Sequence, residues 1–326
     1  FNAGLNGIRV YIIYPSVFLI LYGLKIIEFN FKKYSRKILN WFLINILIIS
    51  IIGLLDVITR GQILILLGYD PDFAGGDFKV VNKYDDLLRA TGGFADALNF
   101  GYLLSLGFAV CLYFLFILKI RGFFKIIVII TAILSTITSV LTLTRGAILC
   151  ILATSLIFVY KLKKISLFFL FVLFSVSFIV LNPELADTLY GRFTDKNASS
   201  AQSSQERIGM AFSSLEVLTR KPQGIGIGSQ GSANRFSNID FRINTDNYFF
   251  WILLELGLFV SIFFMYYILK QFIVAKKIES DTTIYWSLVL SFLISSMLSS
   301  APTSAIYCIN FWVIIFLCDG KINKSN

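Results

Sequence analysis

Histidine is absent from all 326 residues, so an imidazole metal site, a Ser-His triad or a histidine proton shuttle has no residue to build it. The four cysteines, Cys111, Cys150, Cys308 and Cys318, all fall in or at the ends of apolar segments. None has zinc-ligand spacing or a loop partner, so they read as small core residues. Charge is scarce as well: Asp, Glu, Lys and Arg together make up 15% of the chain. Stretches of roughly 17 or more residues repeatedly pass almost without it, close to the length a helix needs to cross a hydrocarbon core. The "GIGIGSQG" stretch lacks the lysine and the preceding strand of a nucleotide-phosphate loop.

What remains is apolar. The chain is 57% hydrophobic with a mean hydropathy of +0.78, and its 33 Phe and 15 Tyr suit lipid-facing and interfacial helix surfaces better than a soluble core. The class is a polytopic membrane protein. It opens at Phe1 with "FNAGLNGIRVYII", a loop entering a helix rather than a signal peptide, and further helices are expected ahead of it. Apolar periodicity predicts spans at 9–28, 38–55, 98–118, 126–143, 146–160, 165–182, 247–269, 282–298 and 305–318.

Orientation follows from the basic residues. Lys32, Lys33, Arg36 and Lys37, then Lys119, Arg121 and Lys125, then Lys161, Lys163 and Lys164, then Lys270, Lys276 and Lys277, then Lys321 and Lys324 mark alternate connections. The positive-inside rule puts these in the cytoplasm. With Lys25 that side holds sixteen basic residues against four acids, while the other side is nearly neutral. The net charge of +10 is therefore topology, and no nucleic-acid partner is expected. Two large loops are left outside, 56–97 and 183–246. The second is too long for a connector and is read as the functional loop. Within it, "SSQERIGMAFSSLEVLTRK" has Ser203 and Glu206 in capping-box spacing, followed by Ile208, Ala211, Phe212, Leu215 and Leu218 at helical intervals. An amphipathic helix is expected there, ending at Pro222 and the glycines Gly224, Gly226, Gly228 and Gly231.

Several residues carry charge where a membrane protein seldom puts it. Arg145 interrupts "VLTLTRGAILC" at a tight outward hairpin; it is either a snorkelling or internally paired arginine, for instance with Glu255, or a ligand for an anionic substrate. Arg207, in the first turn of the loop helix, opposes the helix dipole and is either solvated or aimed at a ligand. Arg89 and Arg9, just before helices, are interfacial arginines or substrate contacts. The glycine cluster is either a flexible tie or a place where bare N–H groups approach a phosphate or sugar. In "RINTDNYFFWILLELGLF", Asp246 is either the helix N-cap or, with Asn247, a partner for sugar hydroxyls. Glu255 shares a helix face with Tyr248 and Trp251, about 12 Å along the helix from Asn247. An acid at the membrane centre costs roughly 2.5–3.5 kcal/mol unless paired or protonated. It is read as a tether inside the bundle.

Three stretches, "RATGGFADALNFGYLL" at 89–104, "LTRGAILCIL" at 143–152, and the run from "ERIGMAF" through "KPQGIGIGS" to "TDNYFFWILLELGL" at 206–258, occur in an order and topology that resembles the O-antigen polymerase and O-antigen ligase family of membrane glycosyltransferases. The resemblance spans most of the chain. Where many relatives read His-Asn before the helix, this chain reads Asp246-Asn247, which puts weight on the arginines.

The resemblance implies an all-α, GT-C-like polytopic transmembrane helix bundle: one domain over 1–326, with 183–246 as the extracytoplasmic catalytic loop. It implies polymerisation of undecaprenyl-pyrophosphate-linked repeat units at the extracytoplasmic face of the bacterial inner membrane. No metal, nucleotide sugar or other cofactor is expected. Membrane lipid and a chain-length regulator protein are the expected partners. Arg145, Arg207 and Asp246 become the catalytic candidates, and Arg89, Arg9, Asn247, Arg220, Gly226 and Gly228 the substrate-binding ones. Ligation of glycan to a lipid core or protein is the sister reading. A flippase or other transporter would line the whole crossing with charge and show internal repetition, neither of which the sequence has.

Overall fold

The computed structural model describes residues 9–26, 31–68, 83–84, 87–94, 96–163, 187, 190, 194, 198–230, 245, 247–277 and 282–318. The spans expected from periodicity appear with shifts of a few residues. A π-helical turn Arg9–Ile13 leads into α1 (Tyr14–Ile26), followed by α2 (Phe31–Ile58) and the short α3 (Gln62–Leu66). A two-residue strand pair, β1 (Lys83–Tyr84) against β2 (Leu87–Leu88), precedes α4 (Ala97–Leu112), which a π-helical turn Tyr113–Ile117 continues. Next come α5 (Phe123–Leu141), α6 (Arg145–Leu162) and the loop helix α7 (Ala198–Arg220). The chain then forms α8 (Tyr248–Lys277), α9 (Thr282–Leu298), a 3-10 turn Ala301–Thr303 and α10 (Ala305–Leu317). The span expected at 165–182 lies outside the described residues, as do residues 231–244 and 246 and several before 198 in the loop 183–246.

Five of these helices are long and apolar enough to cross a membrane, and α9 and α10 are shorter apolar helices beside them. The molecule is an all-α polytopic bundle. Its centre is α4, nearly every residue of which is buried among α2, α5, α6, α9 and α10. Lipid offers no hydrophobic drive between helices, so small and hydroxylated residues make the seams. On α5, Thr131, Ser135, Thr138 and Ser139 are all buried, and Thr138 donates to the Ser50 carbonyl of α2 at 3.1 Å. Between α6 and α9, Cys150 faces the Ser291 carbonyl at 3.5 Å and Thr154 the Ser291 hydroxyl at 3.4 Å.

One level nearer the start of α6, Gly146 lies against the Tyr102 hydroxyl, where a Cβ would overlap it. Tyr102 packs edge-on to Tyr307, centroids 5.9 Å apart, and the Tyr307 hydroxyl shares a 2.9 Å hydrogen bond with Ser295. Ser291 thus sits level with 150–154 and Ser295 level with 146, so α6 and α9 run antiparallel. Arg145, at the start of α6, therefore shares an end of the bundle with the close of α9. That end is the mouth. The opposite end carries Lys276, whose ammonium lies 5.6 Å over the Trp286 ring, an interfacial anchor of the usual kind.

The span expected at 247–269 holds a break. Within α8, Gly257 has φ 74° and ψ 173°, outside helical space. The Ser261 hydroxyl reaches the Ile252 carbonyl at 3.1 Å, although nine residues of straight helix would separate them by about 13 Å. Phe292 touches both Tyr248, at 6.2 Å between centroids, and Phe272, at 5.4 Å. A straight helix would hold those two residues about 36 Å apart. The first half, to Leu256, therefore bends back at the mouth, and the second half alone, about 28 Å long, crosses the membrane.

Candidate functional site

Two constructions meet at the mouth. The first is the turn between α5 and α6. Leu143 stands there in left-handed backbone, φ 53°, a conformation that costs a bulky residue about 1–2 kcal/mol and persists only where neighbours impose it. Arg89 supplies that restraint: its Nε donates to the Thr142 carbonyl at 2.8 Å and its Nη2 to the Thr144 hydroxyl at 3.2 Å, one bond on each side of Leu143. The Ala90 N–H adds a bond to the Leu141 carbonyl at 3.0 Å. Behind it, Thr91 gives both its N–H (3.0 Å) and its hydroxyl (2.9 Å) to Asp56, a fully buried carboxylate near the end of α2. Asp96 then caps α4 by accepting the Leu98 N–H at 2.8 Å. The "RATGG" stretch is thus a clamp that fixes the turn from which Arg145 emerges as the first residue of α6. Arg145 stands in the first turn of α6, at the positive end of its dipole, a combination suited to an anion.

The second construction is the break in α8. A helix that stops inside a membrane protein leaves carbonyls without partners, and they must be satisfied locally. The segment after α7 does this. Ile225 N–H donates to the Leu254 carbonyl at 2.7 Å and Gly226 N–H to the Glu255 carbonyl at 3.2 Å, while Leu258 N–H returns a bond to the Pro222 carbonyl at 2.8 Å. The two backbones touch at a pair of glycines in left-handed conformation, Gly224 (φ 84°) and Gly257 (φ 74°). A Cβ on Gly224 would stand 2.5 Å from the Gly257 nitrogen, and one on Gly257 would overlap Gln223. Glu255 locks the junction. The Tyr11 hydroxyl donates to its Oε2 at 2.7 Å and the Gln230 N–H to its Oε1 at 2.9 Å. The tether expected of Glu255 is there, joining the first helix, the glycine loop and the half-helix of α8.

From Gln230 the network reaches the mouth: its Oε1 accepts the Thr245 N–H at 3.4 Å, and the Thr245 hydroxyl accepts the Asn247 N–H at 3.2 Å. Asn247 is the N-cap of α8, taking the Phe249 and Phe250 N–H groups at 2.9 and 3.2 Å, and its Nδ2 donates to the Met297 carbonyl at 2.7 Å. The cap therefore falls one residue later than the Asp246 cap the sequence suggested. The amide of Asn is as good an acceptor for those donors. Asp246 itself lies outside the described residues.

Above this network, a cleft of about 260 Å³ runs between α7 and the mouth end of α8 and α9. Arg207, Thr245 and Asn247 line it on the polar side, and Ile208, Ala211, Phe250 and Met297 among others on the apolar side. The structure thus brings two expected residues, Arg207 and Asn247, around one cavity, and holds Arg145 and Arg89 at the same end of the bundle. It does not bring Arg220 there. Arg220 is exposed at the far end of α7, about 20 Å along the helix from Arg207, in an ion pair with Glu216 of the kind that contributes little in water. Arg9 opens the π-helical turn two residues before Tyr11. The Gly226 N–H is bonded to the protein's own carbonyl, and Gly228 is buried beneath the loop. Among the described residues no three His, Cys, Asp or Glu side chains converge as a metal site.

Asp56, Tyr11 and Gln230 escaped the sequence reading. Asp56 had a signal, an acid closing an apolar run just as Glu255 interrupts one. Tyr11 and Gln230 had none, since their roles depend on partners 244 and 25 residues away.

Comparison with known proteins gives the family. Residues 130–265, from α5 through the loop helix to the middle of α8, match a family model described as O-antigen ligase. A curated O-antigen polymerase of Salmonella muenchen is 35% identical over 330 residues, covering 95% of this chain and 80% of that protein. No solved structure matches. With that relative covered over most of its length, the chain belongs to the O-antigen polymerase family.

Proposed function

We propose that the protein polymerises lipid-linked oligosaccharide repeat units at the mouth of the bundle. The donor is a glycan on undecaprenyl pyrophosphate, and the acceptor is a sugar hydroxyl of a second lipid-linked glycan. The acceptor oxygen attacks the anomeric carbon as the carbon–oxygen bond to pyrophosphate breaks. The electron pair stays on the pyrophosphate, and the hydroxyl proton leaves with it. Direct attack inverts the anomeric centre.

Pyrophosphate is already a good leaving group, so the protein's task is to hold it and to stabilise the negative charge that grows on it. Arg145, at the positive end of α6, and Arg207, on the cleft, are the donors assigned to this, since their planar forks match phosphate oxygens in pairs. Asp246, between the two residues fixed by the Gln230 network, orients the attacking hydroxyl. An ordinary carboxylate is a weak base, so positioning matters more than proton abstraction. The apolar wall of the cleft takes the first part of the lipid chain. The basic end of the bundle faces the cytoplasm of a bacterial inner membrane, and a chain-length regulator acts from the other side. The observation that carries the reading is the cleft itself, which brings Arg207 and Asn247 together at the end of the bundle where Arg145 emerges. The matched family model is described as a ligase, so transfer to a lipid core is the second reading.

Purified protein in nanodiscs, given undecaprenyl-pyrophosphate repeat units, tests it. A ladder of longer lipid-linked glycans is expected from the wild type, falling at least 100-fold in Arg145→Ala and Arg207→Ala and about tenfold in Asp246→Asn, in line with loss of one preorganised donor or orienting group. Glycan appearing only on an added lipid core would establish the ligase, and no transfer to any acceptor would end the enzyme reading.

A further inference from the structure

The apolar stripe of α7 does not face the bundle. At about 100° per residue, Arg207, Met210, Ser214 and Val217 gather on one side of the helix. Those are positions the protein buries or half-buries. Ile208, Phe212 and Leu215 gather about 140° further round. They are 58%, 69% and 48% exposed. Gln205, Glu206, Ser213, Glu216 and Arg220 fill the remaining sector, all exposed and polar. The helix thus has three faces of different chemistry, each about a third of its circumference. A helix standing in water has no use for the second face, and one sunk in a bundle has none for the third. Protein, hydrocarbon and water on three sides is the setting of an interfacial helix at the rim of a membrane bundle.

Where the helix ends shows which surface it rests on. Its continuation places the Pro222 carbonyl on the Leu258 N–H, the first residue of the spanning half of α8. From that residue on, Leu258, Phe259, Ile262 and Phe263 are exposed along the span, which is the surface lipid covers. The helix that carries the stripe therefore ends against an apolar surface that already belongs to the bilayer. We propose that Ile208, Phe212 and Leu215 seat α7 in the bilayer surface at the mouth, with phospholipid acyl chains as the occupant. Arg207 stands between the protein face and the lipid face. Seating the helix holds its guanidinium at the depth of lipid phosphate groups and opens the cleft sideways past Ile208 and Ala211, which line it. That consequence rests on the cleft being the transfer site; the seating does not.

Spin labels on single introduced cysteines test the seating, with wild type as background because the four native cysteines are buried. In nanodiscs of phosphatidylethanolamine and phosphatidylglycerol, labels at Ile208→Cys, Phe212→Cys and Leu215→Cys are compared with labels at Ser213→Cys and Glu216→Cys. Collision with oxygen relative to an aqueous nickel chelate is expected to be at least fivefold higher on the stripe. Equal, high nickel collision at both sets would put the stripe in water and overturn the proposal. Low collision with both reagents at the stripe would show it covered by protein, another segment or a second copy, and would overturn it as well.

Discussion

Arg89 spends its fork inside the protein, and this separates a structural arginine from a catalytic one by measurement. Two of its donors hold either side of Leu143, and lysine keeps the charge but cannot span both acceptors. Arg89→Lys is expected to lower transfer at least tenfold by letting the Leu143 turn relax and Arg145 drift. Thr144→Val, which removes one acceptor, should cost less, and the double variant little more than Arg89→Lys alone. Such non-additivity marks a shared interaction. Full additivity in the transfer assay would instead make Arg89 a substrate ligand. Gln230 offers a parallel case at the other construction. Gln230→Leu leaves the buried Thr245 N–H without an acceptor, a loss of about 1–3 kcal/mol. Transfer should fall about tenfold while the protein still elutes as wild type from size exclusion in detergent, because the loss lies in the placement of residues 245–247 and not in the bundle.

At the scale of elements, the broken α8 and the loop that docks into it form one unit. Gly257→Ala and Gly224→Ala each place a methyl group on the other strand's backbone in a conformation that L-residues avoid, a cost of about 1–2 kcal/mol from conformation alone before the collision is counted. Both variants should lower the thermal midpoint in detergent by several degrees and reduce transfer. Gly23→Ala, in α1 with open space beside its Cα, should do neither. Equal stability in all three would mean that the junction is not held as described. The same unit shows how far the sequence could be read. Periodicity and the positive-inside pattern found the span now seen as α8, because both are local properties of the chain. The break was not legible. "ELGLF" carries a single glycine, and glycine within an apolar helix is common; only the approach of Gly224 from more than 30 residues earlier, a long-range contact, makes Gly257 a corner. The apolar face of α7 shows the converse. Ile208, Phe212 and Leu215 were legible as a stripe, yet helical spacing cannot say whether a stripe meets protein or lipid. For the site, Arg145 was legible from its cost in apolar surroundings, and Arg207 was singled out on a first-turn position it does not hold, since α7 already begins at Ala198. The Tyr11–Glu255–Gln230–Thr245 network that aligns the mouth was not legible.

The whole molecule is polarised: hydrogen-bonded constructions, the cleft and three of the candidate arginines sit at one end, and Lys119, Arg121, Lys163, Lys270 and Lys276 at or near the other. This asymmetry supports the proposed sidedness, because basic residues resist translocation across a membrane. It also constrains the chemistry. Nucleotide sugars are cytoplasmic, so a mouth on the opposite side must draw on a donor that has already crossed, and a lipid pyrophosphate brings both its sugar and its leaving group with it. Ser213→Cys on α7 and Lys163→Cys after α6 expose the two ends separately to a membrane-impermeant maleimide. In spheroplasts, Ser213→Cys is expected to label at once and Lys163→Cys only after the membrane is opened. The reverse pattern would put the mouth in the cytoplasm, where soluble nucleotide-linked donors compete, and the pyrophosphate-linked donor would lose its main physical argument even if Arg145 and Arg207 proved essential.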